Sequence, residues 1–290
     1  MPDTASLQEM NTLMRDAGDV VQQTKTTLNG LPAHLQWRPE LDEDHIFPEE
    51  HEMIQEVRRT FSEDVADWSD KLILYFLFAR RCDISQSIPL IARYIQMLKD
   101  LGWLHRRPTL DDAPMLKNGS ILFYPRAVDK CDRLLVFLNM KLLQPGKLSK
   151  EENLITLVYE TNLIADTMPI RYLRNGCTQV LEMEGFGVRN IDASHDGMEV
   201  LKAMQGVFPR RTRQFYVMNG GFVVRMVMGL AKRVLPAKLI ERVDTVNNKK
   251  LRELVDDEWI PEKYGGKCQV SLESTINYLR DYDAKFNQTS

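Results

Sequence analysis

The sequence predicts an α/β fold, a mostly parallel sheet covered by helices and preceded by a small all-helical N-terminal module. Three observations carry this. The apolar runs LLVFLNMKLL (134–143), TQVLEME (178–184) and QFYVMN (214–219) have the length and composition of strands buried on both faces. Helix-period segments over 151–174, 195–206 and 222–235 alternate with them, as βαβ units require. Before Pro108, Pro114 and Gly119, which mark a linker, the chain has only helical texture.

Taken in order, Leu7, Met10, Met14, Ala17, Val21, Thr24 and Leu28 fall on a heptad-like spacing and predict an amphipathic helix, weakened by Gly18. Two readings of it stand: a helix packed on its own domain, or a coiled-coil site for a protein partner. NGLPAHLQWRP then breaks the chain. Residues 40–52 hold seven carboxylates and no Lys or Arg, with His45 and His51 among them. Without a second ligand pair at helical spacing, this reads as a solvated loop and helix start rather than a metal site. KLILYFLFARR (71–81) is a short apolar helix. Asp83 with Gln86 forms a capping pair for the next, which carries Ile91, Tyr94, Ile95 and Leu98 on one face. Pro89 fits poorly inside that helix and is expected to delay its start. ERVDTV (241–246) is a last, shorter strand. The organisation is therefore an N-terminal extension (1–45), a helical module (46–110), an α/β domain (111–270) and a C-terminal tail (271–290).

Composition bounds the function. The chain has 290 residues, 43% hydrophobic and 27% charged, with a net charge of −3, so any affinity for nucleic acid or anionic lipid must come from a local patch. The four cysteines (Cys82, Cys131, Cys177, Cys268) lie far apart, which argues for reduced thiols in the cytosol. The start MPDTASLQEM does not read as a signal peptide. The longest uncharged apolar run, Leu72 to Ala79, is far short of the ~20 residues that cross a bilayer. Catalytic motifs are missing as well. There is no phosphate loop and no G-x-S-x-G elbow. Gly185-Phe186-Gly187 lacks the third glycine of a dinucleotide site. His195-Asp196 has no nucleophile placed beside it, and Ser194 with Asp196 reads as a helix N-cap. Cys177 lacks a phosphatase-type arginine. No catalytic residue, metal or cofactor is assigned, and the reading is of a binding protein that is not an enzyme.

The segment FVVRMVMGLAKRVLPAKLIERV (222–243) is the informative one. On a helical wheel Arg225, Gly229 and Lys232 share one narrow stripe, and apolar residues cover well over half the circumference. A helix lying on one core needs an apolar arc of about 100°. This one has surplus apolar surface and requires a second apolar neighbour, unless it is the central helix of a large core. Met226 and Met228 suit an adaptable surface. From Pro209 to Arg242 there are eight cations against one carboxylate, Glu241. No aromatic–basic interleaving supports nucleic acid. Anionic lipid is the better target, each cation near such a surface being worth roughly 1 kcal/mol.

Phe208-Pro209, Phe215-Tyr216-Val217-Met218-Asn219, the 222–243 helix and Ile260-Pro261-Glu262-Lys263-Tyr264-Gly265-Gly266 resemble, in this order, the CRAL-TRIO lipid-binding domain family of phosphatidylinositol-transfer, tocopherol-transfer and retinaldehyde-binding proteins. VLEMEGFG is similar to the family's strand ending in aspartate, with Glu182 in place of the aspartate, and KLILYFLFARRCDISQSIPLI resembles its helical N-terminal module. The likeness runs from about Glu50 to Gly266. Asn219-Gly220-Gly221 and the Asp132-Arg133 turn depart from the family's pattern.

The resemblance implies a lipid cavity between the sheet and a gate helix bearing Phe222, Val223, Met226, Val227, Leu230, Val234 and Leu235. It implies headgroup or phosphoinositide contacts at Glu199, Arg233, Lys238 and Arg242. The cation that usually follows the glutamate is absent, since Val200 stands there. The function implied is binding and transfer or presentation of a hydrophobic ligand, a phospholipid such as phosphatidylinositol or an isoprenoid or vitamin-type lipid. The protein would be cytoplasmic and would associate transiently and peripherally with anionic, phosphoinositide-containing membranes. A different reading of the same fold is a signalling adaptor that binds a protein such as a small GTPase.

Overall fold

The computed structural model describes residues 31–36, 38–143, 146–190, 195–221 and 240–287. The N-terminal module is built from α1 (Pro48–Phe61), α2 (Asp70–Ala79) and α3 (Ile84–Leu101). Helix α2 is buried nearly all round, from Leu72 to Phe78, so it is a core helix and not an amphipathic one. Helix α3 starts at Ile84 despite Pro89. Its first turn is held by Asp83, which accepts from Gln86 N (3.3 Å), Gln86 Nε2 (2.7 Å) and Ser85 Oγ (2.6 Å). That cap offsets the backbone bond lost to the proline ring.

The linker is ordered: α4 (Pro114–Lys117) follows a short 3-10 turn, and Leu110, Ala113 and Leu116 are buried. Next come β1 (Ile121–Val128), β2 (Leu134–Asn139), α5 (Lys150–Thr167), α6 (Ile170–Asn175), β3 (Cys177–Glu182), α7 (His195–Gly206), β4 (Thr212–Met218), β5 (Val243–Thr245), α8 (Asn248–Leu254) and α9 (Leu272–Asn287). The sheet order is β1-β2-β3-β4-β5, antiparallel between β1 and β2 and parallel elsewhere. This is the mostly parallel α/β sheet with a helical N-terminal module that the sequence predicts. Residues 140–142, expected to continue β2, form a 3-10 turn, and the single helix expected over 151–174 is broken at Pro169 into α5 and α6.

Side chains alternate across the sheet. Ile121, Phe123, Leu134, Val136 and Cys177 face the helices and share one core with Ile54, Phe76, Tyr94, Leu157, Ile164 and Phe208. Tyr124, Leu135, Phe137, Val180, Tyr216 and Met218 face the other way, onto α8 and the segment ending in Ile260, Tyr264 and Cys268. That segment turns at Gly265 (φ +83°), and a Cβ on Gly266 would lie 1.9 Å from the Ile260 carbonyl oxygen. The paired glycines are therefore a backbone requirement.

The acidic stretch is a largely exposed loop and helix start, as its composition predicts, but three of its carboxylates also serve as ties. Glu43 meets Arg126 (2.5 Å), Arg171 (3.6 Å) and the Tyr172 hydroxyl (3.2 Å). Asp44 accepts the Ile170 N–H at the start of α6 (2.9 Å), and Glu50 meets the buried Arg174 (2.5 Å). These carboxylates clasp the module onto α6 and β1.

Candidate functional site

The helix-facing side of the sheet becomes an apolar floor towards the carboxyl ends of the strands. Register places Leu138, Leu181, Val217 and Thr245 in one row, and Val136, Gln179, Phe215 and Val243 in the row before it. Met183 and Val217 form a small cluster there with Met140, Leu181, Phe186 and Val243, most of them only partly buried. Gln179 interrupts the floor. It is 6% exposed, and its Nε2 donates to Thr212 Oγ1 (3.3 Å). A carboxamide has two donors and an oxygen with two lone pairs, and no described residue donates to this oxygen. Sequence reading missed Gln179, whose only signal was an amide on an inward strand position.

The gate residues assigned from sequence, Phe222, Val223, Met226, Val227, Leu230, Val234 and Leu235, lie outside the described residues, as do Arg233 and Lys238. The chain on either side is described. Asn219 (φ +51°) and Gly221 (φ +42°) lead out of β4 in the left-handed region. The Glu182 carboxylate is bound there by Asn219, by the Tyr264 hydroxyl and by the Glu184 N–H.

Arg242 leads back in, at the amino ends of the parallel strands, with its Nη1 on the Thr212 carbonyl (3.0 Å). It stands with Arg211, Arg213 and Arg81, the last in the left-handed turn between α2 and α3 (φ +58°). Gly176 lies against the Cγ atoms of Arg213 and Arg211, which a Cβ would meet at 3.0 and 3.5 Å. Arg211 donates to the carbonyls of Arg174 (3.3 Å) and Phe78 (3.4 Å). Burial, then the charges of Arg213 and Arg81, pull its pKa down to about 9, and burial with Arg242, Arg81 and Arg133 lowers that of Arg213. Cations crowded in this way create a field that favours an anion. Arg210 is different: it is buried against Glu160 and supports the core. Arg81 was not singled out from sequence, although two arginines closing an apolar helix were its signal.

Glu199 and Arg242 are not brought together. Glu199 on α7 is bound by Lys150 (2.5 Å) at the first turn of α5. Arg210, beside the cluster, meets α5 at Glu160, about 15 Å further along a helix rising 1.5 Å per residue. Glu199 thus lies towards the carboxyl ends of the strands and Arg242 at the amino ends.

Nothing in this arrangement pairs a nucleophile with a base. Burial pushes the Cys177 and Cys82 thiols up, away from the thiolate that nucleophilic chemistry needs. Among the described residues no cluster of three His, Cys, Asp or Glu could hold a metal, and no helix is long and apolar enough to cross a membrane.

The model of the CRAL/TRIO domain matches residues 118–266. The phosphatidylinositol/phosphatidylcholine transfer protein SFH4 of Arabidopsis thaliana is 23% identical over 216 residues, covering 68% of this chain and 35% of that protein. The chain thus spans about a third of this plant relative's length. A CRAL-TRIO domain-containing protein of Dictyostelium discoideum is 22% identical over 221 residues, covering 73% of this chain and 85% of that one. Among solved structures, Sfh5 superposes with a TM-score of 0.50 at 15% identity, over 80% of this chain and 92% of that chain, a likeness of fold.

Proposed function

The chain belongs to the CRAL/TRIO domain family, and from that premise we propose that it is a non-enzymatic carrier that holds a hydrophobic ligand against the helix-facing side of its sheet and exchanges it at anionic membranes. The observation that carries this reading is the apolar floor around Val217, where Leu138, Leu181, Phe215 and Val243 are only partly buried and the Gln179 oxygen accepts from no described residue. An acyl or isoprenoid chain fills such a floor at no polar cost, and a hydroxyl on the ligand would satisfy Gln179. Segment 222–235 is the gate, its surplus apolar arc serving the ligand on one side and the bilayer on the other.

Arg81, Arg211, Arg213 and Arg242 supply a docking surface for lipid phosphates and phosphoinositides; Arg233 and Lys238, outside the described residues, are assigned the same role from the sequence alone. Glu199 takes a headgroup role only with Lys150, which provides the cation that Val200 does not. The names of the plant relatives favour a phospholipid cargo, phosphatidylinositol or phosphatidylcholine. The protein works in the cytoplasm and meets the membrane peripherally.

Mass spectrometry of lipid extracted from purified protein, together with transfer of labelled phosphatidylinositol between vesicles, tests the carrier role. Stoichiometric lipid and protein-dependent transfer are expected, and their joint absence overturns it. Flotation with phosphoinositide vesicles tests docking. An Arg213→Glu/Arg242→Glu variant should bind about tenfold or more weakly, given roughly 1 kcal/mol per cation. Unchanged binding removes the arginines from the docking surface.

A further inference from the structure

The arginines at the amino ends of the parallel strands carry costs that the fold alone does not explain. Arg81 and Cys82 are successive non-glycine residues in the left-handed region (φ +58° and +61°), where glycine would be at ease. Their turn sets the exposed Arg81 beside Arg211, Arg213 and Arg242, three half-buried cations from the sheet side. Like charges gathered in this way repel, and burial sharpens the repulsion. The gathering is built into the backbone. Gly176 (φ +80°) lies so close to the start of β4 that a Cβ there would stand 2.5 Å from the Arg211 carbonyl oxygen and 3.0 Å from Arg213 Cγ. Arg211 Nη1 donates to the carbonyls of Arg174 (3.3 Å) and Phe78 (3.4 Å), and Arg242 Nη1 to that of Thr212 (3.0 Å). Carbonyl bonds fix a guanidinium without cancelling its charge. The rest of the Arg242 fork and the whole Arg81 side chain meet no hydrogen-bond or ion-pair partner among the described residues. All of these cations are arginines, whose planar forks suit phosphate oxygens. A single phosphate, with a charge of about −2 at most, offsets only half of theirs. Arg81 belongs to the helical module and the others to the sheet side, so an anion held by all of them spans the junction.

We propose that Arg81, Arg211, Arg213 and Arg242 form one site for a compact anion with two or more phosphates, that this anion ties the helical module to the sheet, and that a soluble polyphosphate therefore competes with the membrane for the protein. The competition rests on the reading of the same arginines as a docking surface, whereas the tie does not. The phosphates can be those of a lipid headgroup or of a free inositol polyphosphate, since the chemistry that the arginines recognise is the same.

The full chain is melted with inositol hexakisphosphate, and with inorganic phosphate at equal ionic strength as the control. At about a hundred times its dissociation constant the hexakisphosphate should raise the melting temperature by roughly 5 °C, and inorganic phosphate should leave it within about a degree. Arg81→Gly relieves the left-handed turn and removes one repulsion. Without anion it should melt no lower than the native protein; with hexakisphosphate it should bind about tenfold more weakly and gain about half as much. Arg213→Gln, which leaves the turn alone, should lose affinity to a similar degree. No shift in the native protein, or an undiminished shift in either variant, overturns the site. An Arg81→Gly protein that melts lower without anion would show that the arginine serves the turn itself, and overturns the tie. Flotation with vesicles containing phosphatidylinositol bisphosphate separates the two sources. Release of floated protein by hexakisphosphate supports the competition, and flotation that hexakisphosphate leaves unchanged overturns it. If no protein floats while the melting shift and its loss in the variants hold, the docking reading fails and the free polyphosphate is the ligand.

Discussion

Glu50 and Arg174 carry full charges into a place where neither side chain meets water. Glu50 is 0% and Arg174 1% exposed, their ion pair is 2.5 Å long, and the Phe47 and Phe78 rings lie 4.7 and 5.1 Å from the guanidinium carbon. Glu50 also accepts the Phe47 N–H (2.9 Å), so the same carboxylate caps α1. Burial raises the pKa of Glu50 and lowers that of Arg174. Both directions say that desolvation outweighs attraction between the partners, as expected for a pair this deep. Removing one partner leaves an uncompensated buried charge, so Arg174→Met should cost about 3–5 kcal/mol by chemical denaturation. The double variant Glu50→Leu/Arg174→Met should recover most of that loss, less the cap. The pH dependence has a defined sign. A carboxylate whose folded pKa is raised above 4.5 carries no penalty below its unfolded value and its full penalty above the folded one. The double variant should therefore gain on the native protein as pH rises from about 4 through that window. A double variant that loses ground to the native protein as pH rises through that window would contradict the assignment.

Helices and strands differ in how openly they are written. Helix α3 declares itself through the Ile91, Tyr94, Ile95 and Leu98 stripe and through Asp83, whose pKa is held below its usual value first by Ser85 and then by Gln86. Asp83→Ala should cost about 1 kcal/mol in a melt at neutral pH, the ordinary worth of an N-cap. Because the folded pKa is depressed, this contribution is present above the unfolded value of 3.8 and is lost as pH falls through the folded one, so native and variant should converge in acid. Strands β2, β3 and β4 were legible as apolar runs. Strand β1 was not, because Pro125 and the left-handed Arg126 (φ +64°) sit at a break in its register and spoil the alternation. Helix α9 was read as a tail for a similar reason. It buries Thr275, Leu279 and Tyr282, and it docks by polar side chains: Tyr282 on Asp166 (2.7 Å), and Asp283 on the Leu110 N–H (2.7 Å) and the Tyr159 hydroxyl (3.1 Å). Hydrophobic spacing does not report contacts of that kind. The site was legible in the same uneven way. Arg242 and Glu182 were visible in motifs, whereas Gln179, Lys150 and Arg81 join it only through strand register and turns.

At the scale of the whole molecule, the net charge of −3 hides a concentrated arginine face, and the proline-marked linker hides a continuous core. Leu31, Leu35, Ile54, Phe76 and Tyr94 from the N-terminal side share one cluster with Leu134, Leu157, Ile164, Cys177 and Phe208 from the sheet side. Tyr94 stacks edge-on against Phe208 at 5.6 Å, and Trp68 and Phe76 extend the aromatic contact. Charges repeat the stitching: Glu43, just ahead of the module, to Arg126 and Arg171, and Glu50 in the module to Arg174, all cross to the sheet side. A cooperative unit is defined by shared burial, and the boundary near residue 110 divides texture without dividing the core. The full chain should therefore unfold in one transition, with circular dichroism and tryptophan fluorescence coincident. A fragment beginning at residue 111 would expose Leu134, Leu157, Ile164 and Phe208 on the side where α2 and α3 now lie, and would strand Arg174 without its partner. It should bind a hydrophobic dye and show no sharp melt, even though it contains the whole family-matched segment 118–266. A sharp melt and native near-ultraviolet dichroism from that fragment would make the helical module an accessory to the sheet and not part of its core.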